Sequence, residues 1–552
     1  MPVTTVADRW STEEIETFYA TGQWTTDRLQ DIIDEQVRRH GGKVFLTDDD
    51  RQLTYTELDD AARRFATALR GRGIGRGDRV AVQLPNWVEF GVVTAALSRI
   101  GAVLVPIMPI YRSDDVGYIL ANSEAVAAVT CGTYRRHDHA AMFVDLKGEV
   151  STLRDVIVVR NEESSAETHS FEELIAGSAP AGDDDRALGA SPDDPFVIVY
   201  SSGTTSRPKG CVHTFNTVSC GARMLGKAFG YSESDVQFGP SPITHMTGLV
   251  TSYLVPLVHG ASSHLMGQWT PGDGVAHIMK HRCTVTVCAT AFLQTLLDAY
   301  DPAVHDLSSM RLWTCAGSPI PPAIIERAEA ALPGLLVLSL YGRSENVTTT
   351  TCTTTTPKVK ALTSDGVALP FQEVRIVDEL GREVARGQEG DIAYRGAMHM
   401  LEYLGNEAET AALFTPDGFS MSGDLGVMDD DGFVRVTGRS KDIVIRGGMN
   451  ISVRQIEDLL TQWDRVRACA AVAMPDEVLG ERVCLYLVPT EGAEGTTLED
   501  VKDYLLGKGL TIRKVPERLE IVDLLPMTAT GKIQKHVLRA RIADVVRQES
   551  TA

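Results

Sequence analysis

The sequence predicts an α/β protein: a large N-terminal domain of α/β subdomains with a small β-rich subdomain, then a small α+β C-terminal domain. Three observations carry the prediction. A chain of 552 residues is too long for one ordinary hydrophobic core. Helix-like and strand-like apolar patterns alternate along residues 54–107 and again along 196–340, as parallel strands with helical crossovers require. Beyond Glu373 the texture changes to short strands between Gly and Asp turns, and from about Ile443 helices and strands alternate over a length suited to one small domain.

Taken in order, residues 54–69 open with a capping-box pattern, Thr54 with Glu57 or Thr56 with Asp59, and continue with apolar residues at helical spacing. Gly71, Gly73, Gly75 and Gly77 lie between a helix and the next strand, whereas a dinucleotide fingerprint follows a strand and opens a helix; they predict a helix stop and a turn. A strand at 80–84 leads to a helix with Trp87, Phe90, Val93, Leu97 and Ile100 on one face, ending at Gly101 before a buried strand at 103–107. Segments 374–377, 391–394 and 433–436 predict the strands of the β-rich subdomain, and 438–442 is a candidate linker. The threonine-rich stretch 348–356 predicts a strand or loop floor, with no chemistry assigned to it.

Composition narrows the function class. The chain is 43% apolar and 23% charged, as a soluble globular protein is. No apolar run approaches the roughly 18 residues of a membrane span, and the N-terminus lacks a basic start and an apolar h-region, so a cytoplasmic protein is expected. Nine scattered cysteines form no CxxC pair, which suggests single buried thiols. A net charge of −21 argues against nucleic acid as a partner, though a local ring of amides and one or two cations can still hold a nucleotide.

The strongest local signal is Tyr200-Ser-Ser-Gly-Thr-Thr-Ser-Arg-Pro-Lys-Gly210, entered from an apolar strand at 196–199. Backbone amides, the hydroxyls of Ser201, Ser202, Thr204 and Thr205, the Gly203 turn and the Lys209 cation suit a polyphosphate; a polar surface turn is the alternative. The loop is not GxxxxGK[ST]. It resembles the phosphate-binding signature of adenylate-forming enzymes: acyl- and aryl-CoA synthetases, luciferases and peptide-synthetase adenylation domains. Further motifs stand in the family's order across nearly the whole chain. Thr54-Tyr-Thr-Glu-Leu58 is similar to the early structural motif, and Ala316-Gly-Ser-Pro319 to the segment beside adenine. Tyr341-Gly-Arg-Ser-Glu345 is similar to Tyr-Gly-x-Thr-Glu, and Ser422-Gly-Asp-Leu425 to Thr-Gly-Asp. Gly438-Arg-Ser-Lys-Asp-Ile443 with Gly447-Gly-Met-Asn-Ile451 is similar to the hinge and following loop, and Pro526-Met-Thr-Ala-Thr-Gly-Lys532 to the C-terminal lysine motif.

The resemblance implies ATP-dependent activation of a small organic acid as its acyl-adenylate, with pyrophosphate released and a thiol, that of coenzyme A, as acceptor. Lys532 would meet the substrate carboxylate and α-phosphate, Glu345 would hold Mg²⁺, and Lys209 would assist. Ala316, Gly317, Ser318, Tyr341 and Gly342 would surround adenine, Ser344 would touch phosphate, and Asp424 with Arg439 would take the ribose hydroxyls. The implied division is 1–438 for ATP and acid, a hinge at 439–442 with Lys441 at the pivot, and a mobile domain at 443–552 whose swing brings Gly447 and Gly448 to the thiol side. The stretch 241–248 lacks the Asp that pairs an amino-acid ammonium, and with 307–311 and 363–366 it resembles the cyclohexanecarboxylate and medium-chain acyl-CoA ligase branch. His245 then marks the mouth of the acyl pocket or packs behind it; Ile243, Met246, Ala289, Phe292 and Leu340 line the pocket or form ordinary core. A homodimer is compatible with this reading. Departures are Ser206 for a glycine, Arg343 and Ser344 within the Tyr-Gly motif, and Asn346 before the threonine run. They leave room for carrier-protein loading, or for ATP-dependent nitrite activation in the diazotisation of an aromatic amine. A nucleotide-binding protein without catalysis is the remaining alternative.

Overall fold

The computed structural model describes residues 3–161, 163–182, 191–201, 207–318, 320–528 and 531–551. Thr54 caps the helix Tyr55–Gly71 through the predicted box, its hydroxyl accepting from Glu57 N at 3.2 Å while Glu57 reaches back to Thr54 N at 2.7 Å. The turn after it delivers the strand Arg79–Gln83. The next helix, Val88–Ile100, corrects the expectation of a single apolar face: every residue in it is buried, and Trp87 is its N-cap, not its first turn. Two large sheets sandwich this helix, so even Glu89 and Arg99 are drawn inside, where Arg51 and Arg160 meet the one and Asp59 the other.

One sheet has eight strands, ordered Glu402–Tyr403, Lys209–Thr214, Pro195–Ser201, Val103–Pro106, Arg79–Gln83, Ala127–Cys131, Asp155–Val159 and His169–Ser170. The other has nine, ordered Val367–Ala368, Asn346–Thr351, Leu336–Arg343, Leu312–Ala316, Val285–Cys288, Val236–Gly239, Ser262–Leu265, Val44–Thr47 and Gln52–Thr54. Their interiors are parallel, their margins are antiparallel except for the parallel edge strand His169–Ser170, and one apolar core joins them. The β-rich subdomain is a four-stranded antiparallel sheet, Gln372–Val377, Glu389–Gly396, Ser420–Met428 and Val434–Arg439, around Ile376, Ile392, Met428 and Val434.

After a short 3₁₀ turn at Ser440–Asp442 the chain builds a five-stranded sheet with its own core on both faces: Val444, Ile456 and Leu485 on one, Tyr486, Leu538 and Ile542 on the other. The protein is thus a mixed α/β fold with a large N-terminal and a small C-terminal domain. All nine cysteines are buried and unpaired. No helix among the described residues is long and apolar enough to cross a membrane.

Candidate active site

The carboxyl ends of the parallel strands in the nine-stranded sheet open into a cleft of about 520 Å³, part of it open to solvent, where ligands of open α/β sheets bind. Its walls include Ala316 and Gly317 from the end of Leu312–Ala316, and Leu340, Gly342 and Arg343 from the end of Leu336–Arg343. Lys532 closes it from the C-terminal domain.

Two tight turns shape the floor. Leu336–Arg343 and Asn346–Thr351 pair antiparallel with Arg343 opposite Asn346, so Ser344 and Glu345 form a two-residue hairpin turn. Gly342 is required by the close approach of these strands, since a Cβ there would come within 2.5 Å of Val347 O. The Ser344 carbonyl accepts from His213 Nε2 at 2.7 Å, which ties the turn to the neighbouring sheet. Glu345 is buried; its Oε1 accepts from Tyr403 Oη at 2.5 Å and from Arg343 Nη2 at 3.3 Å. Burial disfavours the carboxylate, but Arg343 and Tyr403 outweigh it and hold its pKa below the usual range. Burial likewise works against the Arg343 charge, and Glu345 with Asp424 more than offsets it, so that pKa lies well above the ordinary value. Arg343 also donates to Ser422 O.

Asp424 is buried on the strand Ser420–Met428, opposite Arg439. Its Oδ1 accepts from Arg439 Nε at 3.0 Å and its Oδ2 from Tyr341 Oη at 2.7 Å. Upstream, Asp391 accepts from Ser422 N at 2.9 Å and Gly423 N at 3.2 Å, and Gly423 has φ +70°, which sets the sharp turn that presents Asp424.

Beside Lys532, Thr528 N donates to Lys532 O at 2.7 Å and Gly531 N to Thr528 O at 2.9 Å. The Lys532 Cε lies 2.7 Å from where a Cβ on Gly317 would stand; with φ +78° at that position, only glycine fits. Burial and the positive Arg439 push the Lys532 pKa down to about 8 against the pull of Asp424. His245 lines the cleft and accepts from Thr247 N at 3.3 Å; burial and Lys532 push its pKa down to about 3, so it is a neutral ring.

The structure gathers Lys532, Ala316, Gly317, Gly342, Ser344, His245, Met246 and Leu340 around the cleft. Tyr341, Glu345, Asp424 and Arg439 are linked to it through Arg343 and the hydrogen bonds above. Lys209 pairs with Glu409 and lies 4.9 Å over the Tyr403 ring, so it meets Glu345 through Tyr403. Ser201 faces Lys209 across an antiparallel pair; Ser202, Gly203, Thr204, Thr205 and Ser206 lie outside the described residues. Ser318 bonds Thr290 at 3.1 Å beside the cleft. Three residues proposed for the pocket are absent from its lining: Ile243 and Phe292 are buried in core clusters, and Ala289 packs 3.4 Å from the position of a Gly531 Cβ. Gly447 and Gly448, both at positive φ, make a two-residue turn between Val444–Arg446 and Met449–Ile451, and Lys441 is exposed in the 3₁₀ turn.

Sequence reasoning missed Tyr403, Leu225, Thr251 and Thr348. Thr348 is buried, lines the cleft, and its hydroxyl has no partner among the described residues. Its place in a strand-forming threonine run was the one available signal.

Residues 33–404 match the profile of the AMP-binding enzyme family, and residues 455–532 that of the AMP-binding enzyme C-terminal domain. The chain is 31% identical over 529 residues to the medium-chain fatty-acid–CoA ligase of Escherichia coli (strain K12), covering 96% of this chain and 93% of that protein. Over 528 residues it is 32% identical to the salicyl-AMP ligase / salicyl-S-ArCP synthetase of Mycobacterium tuberculosis, covering 94% and 92%. The crystal structure of ATP-bound MatB from Rhodopseudomonas palustris superposes with a TM-score of 0.84 at 27% identity, covering 94% of this chain and 100% of that one.

Proposed function

The chain belongs to the AMP-binding enzyme family, and from that premise we propose that it is an AMP-forming acid–thiol ligase with coenzyme A as acceptor. The reaction has two halves. A carboxylate oxygen bonds to the α-phosphorus of ATP while the bond to pyrophosphate breaks. Thiol sulfur then bonds to the acyl carbon, AMP leaves, and the thiol proton passes to solvent or the departing phosphate. The observation that carries the proposal is that Lys532, on the cleft wall, stands within electrostatic reach of Asp424 and Glu345, the three coming from distant parts of the chain.

Each group has a task suited to its surroundings. Lys532 places an ammonium where two anions must meet, and offsets charge that grows on the phosphoryl oxygens. Asp424, with Arg439 beside it, exchanges its Tyr341 contact for ribose hydroxyls, freeing the Tyr341 ring to face adenine. Glu345, an ionised carboxylate, is the donor type that Mg²⁺ accepts alongside phosphate oxygens, so the residue fits the ion; bound there, Mg²⁺ would neutralise part of the polyphosphate charge. Arg343 releases Glu345 Oε1 as that charge arrives. Apolar Leu225, Met246, Val250 and Leu340 face the acid's hydrocarbon part, and neutral His245 adds no charge against it.

One observation favours a second reading. Arg343, Thr247, Thr251 and Thr348 give the cleft a polar, cationic side, which suits a small inorganic anion such as nitrite, activated for diazotisation of an amine. The related protein named as a salicyl-S-ArCP synthetase makes a carrier-protein thiol the other acceptor to test. Pyrophosphate release is measured over aliphatic, alicyclic and aromatic acids, with and without coenzyme A or a carrier domain. Acid-dependent release, with thioester formed from coenzyme A, is expected. Release stimulated by nitrite and by no acid would overturn the ligase reading; ATP binding without turnover would leave only a nucleotide-binding protein.

A further inference from the structure

Away from the cleft, among the described residues, one cluster of side chains has the chemistry of a metal site. His264 is buried on the strand Ser262–Leu265, and His277 and His281 stand one turn apart on the helix Pro271–His281, whose face covers that strand. One ring nitrogen from each of the three histidines lies within 4.8 Å of the others. His264 Nε2 meets His277 Nδ1 at 2.6 Å, and the His264 and His281 rings stack with centroids 3.9 Å apart. The Asp49 carboxylate, on the loop after the strand Val44–Thr47, reaches His277 Nδ1 at 3.6 Å. None of the four residues lines the cleft.

Three imidazoles share a single short contact here, and two of their nitrogens, His264 Nδ1 and His281 Nε2, are buried without a partner among the described residues. Such atoms are costly to leave unsatisfied. The neutral imidazole is the form that binds a metal. Asp49 is itself positioned: the backbone N–H of Gly267 reaches its carboxylate, and a Cβ on Gly267 would stand 2.9 Å from Asp49 Oδ2.

We propose that His264, His277 and His281, with Asp49 as fourth ligand, form a site for a divalent transition cation of the zinc class that fastens the helix Pro271–His281 to the strand Ser262–Leu265. Three neutral imidazoles and one carboxylate are a zinc donor set, whereas Mg²⁺ prefers oxygen ligands throughout. Tetrahedral bonds of about 2.1 Å set the ligand nitrogens about 3.4 Å apart, so the pair now at 2.6 Å opens and the wider spacings, up to 4.8 Å, close by side-chain rotation on the half-buried helix face. The helix leads back through Trp269, packed at 4.9 Å against Phe292, into the core behind the cleft. The site's role is structural, and it is separate from the ion proposed at Glu345.

The test uses the full chain, stripped with a chelator and titrated with Zn²⁺ in a constant excess of Mg²⁺. One Zn²⁺ per chain is expected, with a Zn²⁺-dependent rise in the thermal midpoint that Mg²⁺ does not reproduce. His277→Gln and His281→Gln should each weaken binding by about a hundredfold, and the double variant should lose the rise. Co²⁺ on the unmutated chain gives an independent readout, because four-coordinate N/O ligation yields intense visible bands. Absence of saturable Zn²⁺ binding, Co²⁺ spectra of the hexa-aquo type, or stoichiometric binding that survives the double substitution would each overturn the proposal.

Discussion

Lys532 shows how a residue's surroundings decide what it can do. An exposed lysine near a C-terminus is ordinarily a solvated charge; here burial and Arg439 lower its pKa to about 8. In the role proposed for it, Lys532 serves adenylation as the ammonium, which is present below that pKa and lost as pH rises through it. In the free enzyme, kcat/KM for acid-dependent pyrophosphate release should therefore fall above about pH 8. Lys532→Arg, which stays charged, should remove that falling limb. Lys532→Ala should cost adenylation roughly a hundred- to a thousandfold while largely sparing thioester formation from supplied acyl-AMP. Equal loss in both half-reactions would contradict the assignment. At this scale the motifs made Lys532, Asp424 and Gly317 legible, because each needs one particular side chain at one place. The Tyr403 hydroxyl on Glu345 was not legible: the two are 58 residues apart and meet only through sheet pairing.

At the scale of elements, local rules governed what could be foreseen. The Thr54 cap and the strands of the β-rich subdomain follow from short-range pattern. The all-round burial of Val88–Ile100 depends on a sheet lying over each face, which periodicity does not encode. A similar limit hid the threonine run. In the strand Asn346–Thr351 every residue is buried, and polar burial is tolerated because Thr350 and Thr351 donate to Asp365 O and Ser339 O at 2.8 and 2.9 Å. The hairpin this strand forms with Leu336–Arg343 has little tolerance at its bulge. Gly342→Ala would drive a methyl into Val347 O and the Thr348 Cα, both backbone, so the strands themselves must part. A loss of about 1–3 kcal/mol is expected, seen as a lower thermal midpoint. Adenylation should fall with it, since Ser344 and Glu345 sit in the displaced turn. An unchanged midpoint with full activity would show that the two strands are not held as described.

Among the described residues, polar contacts across the domain boundary hold the molecule in one arrangement of its two domains, with Arg435 lying 3.5 Å from Asp458. Ser440 Oγ donates to Gly423 O at 3.0 Å and Ser452 Oγ to Thr437 O at 2.9 Å; Arg454 donates to Val436 O and lies 4.0 Å from Asp365. This arrangement puts Lys532 in the cleft and leaves the Gly447 and Gly448 turn outside its lining. On the role proposed for Lys532, that suits the first half-reaction. If the C-terminal domain rotates about Lys441 for the second, contacts made only in the present state should matter to adenylation, and freedom at the hinge should matter to thioester formation. Arg454→Ala removes a contact of the first kind, so adenylation should drop severalfold and thioester formation from acyl-AMP should be spared. Lys441→Pro acts in the opposite sense. Proline fixes φ near −65°, a value found in 3₁₀ turns and so compatible with Ser440–Asp442, but it denies the backbone the change a rotation needs. Adenylation should persist in that variant and thioester formation should fall by tenfold or more, read as acyl-AMP accumulating without product. The two variants form a crossed pair: a rigid two-domain enzyme would lose both half-reactions together in each, and only a swinging one separates them in opposite directions.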